Sequence, residues 1–70
     1  NPAKDNLRIQ ANFDQAMVRI LALNGQVVFE DMRTDLRGGS DIDLGLDNGI
    51  YLLEVSHGTK RSTQRLVVQK

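Results

Sequence analysis

The side chains that nucleophilic or acid–base chemistry would draw on are His57, Ser40, Ser56 and Ser62. His57 is the only histidine. It stands beside Gly58 between two strand-like runs, so it reads as a solvated turn residue and not as a general base. None of the three serines lies in a G-x-S-x-G context. The other cluster with chemical content is acidic. The run "DIDLGLDNG", residues 41–49, offers Asp41, Asp43, Asp47 and Asn48 as oxygen donors of the kind that hold calcium. It departs from an EF-hand loop, because Gly45 falls where a further ligand belongs and no glutamate closes the run. A strand that buries Ile42, Leu44 and Leu46 explains the same alternation without a metal. No Walker loop and no G-x-G-x-x-G occurs. The residues argue against an enzyme, and no cofactor is expected.

Composition narrows the remaining classes. Seventy residues make one small domain, 1–70, or a piece of a larger chain. A domain of that size buries only about 60% of its unfolded surface. Without cysteine it has no disulfide staple and no thiolate metal site. The core must be aliphatic, since the aromatic residues are Phe13, Phe29 and Tyr51. Formal net charge is zero, and neither a basic field nor a set of stacking platforms points to nucleic acid. The charges are unevenly placed, however. Acids predominate from Glu30 to Glu54, and only bases follow: Lys60, Arg61, Arg65 and Lys70. No apolar run approaches the ~20 residues of a membrane-spanning helix. The first residues have no apolar signal-peptide region. A start at Asn1 without Met suggests a fragment of a longer protein.

Hydrophobic residues recur with period two, which predicts strands. Leu7, Ile9, Ala11 and Phe13 form one alternating face, and residues 13–16 are expected to turn. Val18, Ile20 and Ala22 form the next inward face. Asn24-Gly25 then predicts a hairpin with a type I′ turn. The return strand runs from Val27 to about Asp35, and Gly38-Gly39-Ser40 reads as a loop. Residues 41–47 suit an irregular edge segment that crosses between sheets. Asn48-Gly49 leads into a strand over 50–56 whose Tyr51, Leu53 and Val55 face the core. A turn at His57-Gly58-Thr59 returns the chain as Lys60 to Gln69. Six to seven short strands with frequent turns predict an all-β antiparallel sandwich, since a single sheet would leave one apolar face unburied.

Four segments in order resemble one family: "NPAKDNLRI" (1–9), "VRILALNGQVV" (18–28), "IDLGLDNGIYLLEV" (42–55) and "KRSTQRLVVQK" (60–70). Together they resemble the C-terminal sorting domain of the type IX (Por) secretion system of Bacteroidetes. The resemblance implies an immunoglobulin-like β-sandwich at the end of an exported cargo protein. It also implies passage through the periplasm to the outer membrane, the cell surface or the medium. The implied partners are the outer-membrane translocon, shuttle and sortase proteins, and an upstream cargo domain. Removal by a sortase-type peptidase, at a site upstream of or near Asn1, belongs to the same expectation.

The family motifs map onto Asn1, Pro2 and Ala3 at the entry and onto Gly25 after the second strand. The G-x-Y motif maps onto Gly49 and Tyr51, and the last strand onto Lys60, Arg61, Arg65, Leu66, Val67, Val68 and Lys70. The glycines and Tyr51 are expected to build the recognised shape, and the last strand to be read directly by adding to a partner's sheet. A glycine-rich loop at 38–39 also allows a strand-swapped homodimer. The alternative reading is an immunoglobulin-like adhesion or carbohydrate-binding module. That reading needs an aromatic platform, and one Tyr and two Phe supply little of it.

Overall fold

A computed structural model of the chain describes residues 6–70. Alternation of apolar and polar side chains produces six strands: β1 (Asn6–Ile9), β2 (Ala16–Ala22), β3 (Val27–Arg33), β4 (Ser40–Asp43), β5 (Gly49–His57) and β6 (Lys60–Val68). There is no α-helix among the described residues. The strands form two antiparallel sheets, β1-β4 and β3-β2-β5-β6, which is the expected sandwich. Segment 16–22 carries the β-branched residues Val18 and Ile20 and forms a strand, not a helix.

The core lies between the sheets. Val18 and Ile20 of β2, Leu53 of β5, Leu66 and Val68 of β6, and Ile42 and Leu44 of the β4 segment form one buried cluster. Leu7, Ile9, Phe29, Leu46, Tyr51 and Val55 pack around it. Each fully buried aliphatic side chain contributes roughly 1.5–3 kcal/mol. The small sheet is held over the large one by Arg33 of β3. Its Nε donates to the buried Ser40 Oγ at 2.8 Å, and a second nitrogen donates to the Asp41 carbonyl at 3.3 Å.

Several local expectations change. The first strand ends at Ile9 and not at Phe13, because Ala11 N–H donates to the Leu36 carbonyl and takes the chain out of the sheet. Ala16 belongs to β2 and is buried, not part of a turn. The β2–β3 hairpin forms, but not with a type I′ turn. Gly25 alone has positive φ, at 91°, and its N–H donates to the Ala22 carbonyl. Leu23, Asn24 and Gly25 therefore make a three-residue loop that needs a left-handed residue only at its end. Asn48-Gly49 leads into β5 as expected, and Gly49 is itself the first residue of the strand, without positive φ. Within the expected crossing segment 41–47, residues up to Asp43 pair with β1 in the small sheet, and residues 44–48 then carry the chain to β5 of the large sheet.

The expected loop at 38–40 also resolves differently. Leu36–Gly38 is a 3₁₀ turn, and Leu36 is fully buried between the charged residues Asp35 and Arg37. Its N–H donates to the Asp14 carbonyl, and its own carbonyl accepts from Gly39 and Ala11. Gly39 follows at φ 95°, a conformation that L side chains rarely adopt. A Cβ there would also press into the Arg8 guanidinium, which reaches across to the Gly38 carbonyl and Asp41. The segment is anchored, not loose.

Candidate recognition surface

Strand β6 lies at one edge of the four-stranded sheet and, among the described residues, is hydrogen-bonded on one side only, to β5. It is nine residues long, and Leu66 and Val68 pin its second half to the core. The first half, Lys60 to Arg65, is exposed. The two-residue turn at Gly58-Thr59 makes His57 and Lys60 facing partners. From that pair onward alternate residues hydrogen-bond to β5. Arg61, Thr63, Arg65 and Val67 therefore turn their backbone N–H and C=O groups to the free side. The positive charges sit along this edge. Arg61 Nε lies 3.9 Å from Glu54, while Lys60 and Arg65 make no ion pair among the described residues.

Glycine and tyrosine of the G-x-Y segment stand directly across from the pinned half of β6. The register pairs Gly49 with Val68, Ile50 with Val67 and Tyr51 with Leu66. The Tyr51 ring folds back over Gly49, 3.6 Å from the place a Cβ would occupy, and its hydroxyl donates to the Asp47 carbonyl at 2.8 Å. Asn48 then closes the end of the strand pair: its Oδ1 accepts from the Lys70 N–H at 2.9 Å. No local pattern around Asn48 announces this bond, which joins positions 22 residues apart.

The outer face of the sheet is organised by Arg19, which bonds Glu30 of β3 on one side and Glu54 of β5 on the other. The hydrogen bond to Glu30, and then that to Glu54, push its guanidinium above the ordinary arginine range, so it stays charged at any working pH.

His57 has a structural use. Its ring stacks on Phe13, with centroids 4.3 Å apart, and Nδ1 lies 2.8 Å from the Gln15 carbonyl oxygen. A carbonyl only accepts, so Nδ1 carries the proton. Asp41 is engaged by Arg8 at 3.2 Å. No group of three metal-ligating side chains gathers among the described residues.

The arrangement is a pinned, cationic edge strand with no reactive centre beside it. Residues 1–69 match the family described as the secretion system C-terminal sorting domain. The chain belongs to that family. Nothing matches among the curated proteins or the solved structures. The sorting domain is a signal for type IX secretion, and its family is not a family of enzymes. Membership implies an upstream cargo, engagement with the secretion machinery, and a destination at the cell surface or outside the cell.

Within the sorting domain the expected motif residues divide into two places. Gly25, Gly49, Tyr51, Leu66, Val67, Val68 and Lys70 cluster at one end of the large sheet, since Ala22, just before the Gly25 loop, pairs with Tyr51. Lys60 and Arg61 stand at the other end of β6, roughly 25 Å away at about 3.3 Å per residue. Arg65 lies between them. Asn1, Pro2 and Ala3 lie outside the described residues.

Tyr51 gives a direct check on whether the G-x-Y segment is shape or contact. Tyr51→Phe keeps the ring over Gly49 and loses one hydrogen bond at an exposed turn. The expected cost is about 0.5–1.5 kcal/mol in a urea melt, with export unchanged. Lost export in a variant that melts normally would make the hydroxyl itself a contact.

Proposed function

We propose that the β6 edge is the element read by the secretion machinery, and that a partner strand of the translocon or its shuttle adds to it. The observation that carries this reading is the edge position of a long, terminal strand whose free backbone groups face outward while Leu66 and Val68 hold it rigid. Charged side chains on an edge suppress unspecific pairing. Lys60, Arg61 and Arg65 then favour a partner that brings acids. In this reading the G-x-Y segment and Asn48 set the position of β6 and are not themselves read.

The route that follows is periplasm, outer membrane and cell surface, with a sortase-type peptidase cutting upstream of or near Asn1. Fusion of residues 1–70 behind a periplasmic reporter, in a host that carries a type IX system, tests it. Reporter at the surface or in the medium, shortened by the mass of the domain, is the expected result. Reporter retained in the periplasm would sink the proposal.

A further inference from the structure

The small sheet is too short to roof the large one. β1 lies over β5 and β6, and Arg33 ties β4 over β3. Because β1 stops at Ile9, the inner face of β5 and β6 beyond Leu53 has no strand above it. Two adjoining hollows of about 280 and 260 Å³ open there, sharing Phe13, Val55 and Ser62. One wall is Ile9, Ala11 and Phe13, and the floor is Leu53 and Val55. The stacked Phe13–His57 pair forms one end, where Lys60 stands; Arg61 borders it too, with its guanidinium turned toward Glu54 on the outer face. Among the described residues no carboxylate lines either hollow.

Both sheets present an open edge along this side. Among the described residues β1 pairs only with β4, and β6 only with β5. The groove between them combines an apolar floor, unpaired backbone on both rims and a cationic mouth. A strand repeats its side chains on one face about every 6.6 Å. Hollows of this size suit small β-branched side chains at that spacing. A lipid tail would use the floor but not the rims.

We propose that this groove binds an extended peptide segment that pairs with the free edge of β1, sets valine-sized side chains on alternate residues over Val55, and ends in carboxylates beside Lys60. The segment supplies the strand the small sheet lacks. This groove is distinct from the outward edge of β6 that the secretion reading uses.

The test is NMR titration of the isolated chain with a synthetic peptide of alternating Val and Thr that ends in two Asp residues. Expected are amide shifts at Ile9, Ala11, Val55, Ser62 and Gln64. The matching peptide ending in Asn should bind roughly five- to tenfold more weakly, the size of one or two exposed charge pairs. Ser62→Phe, at an exposed position facing the groove, should block binding while leaving the melting temperature in place. Shifts confined to β3 or to the outer face, equal binding of the Asn peptide, or unaltered binding by Ser62→Phe would each overturn the proposal. So would the same set of shifts produced equally by a short-chain alkyl phosphate, which would make the groove a site for anionic amphiphiles.

Discussion

Removing residues 61–70 is expected to unfold the domain as well as to end export. The deletion takes away Leu66 and Val68, which are 5% and 1% exposed, and uncovers Leu53 and Tyr51. Two such side chains carry about 3–6 kcal/mol between them. A single core in a chain this small rarely supplies more than about 3–5 kcal/mol in total. Circular dichroism of the truncated domain should show no cooperative melt, and a fused reporter should stay in the periplasm. A truncation that melts cooperatively would mean that β2, β3 and β5 suffice for folding.

Because that deletion removes fold and edge together, it does not identify what is read. Thr63→Pro separates the two. Thr63 faces Glu54 and turns its N–H to the free side of β6, so proline removes no bond of the β5–β6 ladder. It does remove a donor from the edge and places a ring in the path of an incoming strand. A cooperative melt with export lost is the expected result. Normal export of a folded Thr63→Pro domain would move recognition away from this edge.

Ile20→Ala is expected to have the largest effect of any single aliphatic truncation. Ile20 is fully buried on the central strand β2, between Phe29 of β3 and Leu53 of β5. Truncations of this kind cost about 2–5 kcal/mol, depending on how far the site collapses. Against the roughly 3–5 kcal/mol that a core of this size supplies, most molecules should be unfolded at room temperature. Leu23→Ala, at a position 67% exposed, is the matched control and should shift the melt by no more than about 0.5 kcal/mol. Equal melts for the two variants would contradict the placement of the core.

Much of this architecture is legible in the sequence because it depends on neighbours. Val18 and Ile20 alternate with Met17 and Arg19, and Ile42 and Leu44 with Asp41 and Asp43, so the pattern names the buried face of each strand. Other features depend on residues far apart in the chain. Leu36 is an isolated apolar residue between two charges, and only the return of Ala11 and Asp14 to its backbone makes it core. Phe13 continues the alternation of β1 on paper, yet its ring is used against His57. The Asn24-Gly25 pair announces a hairpin, but the loop takes in Leu23 and needs positive φ at only one position. For the recognition surface, the basic composition of the last strand is visible in the sequence. Its place at the sheet edge is not, because strand order is fixed by packing across the sandwich.

The bond from Asn48 to the Lys70 N–H, and the burial of Leu66 and Val68, have a consequence for when this label comes into being. The strands before β6 lack part of the core they must close on. A ribosome that stops early, or a protease that clips the tail, leaves a chain with no finished sandwich and no rigid edge. The sandwich is therefore finished only when β6 is in place, since a chain that stops before Leu66 and Val68 cannot close its core.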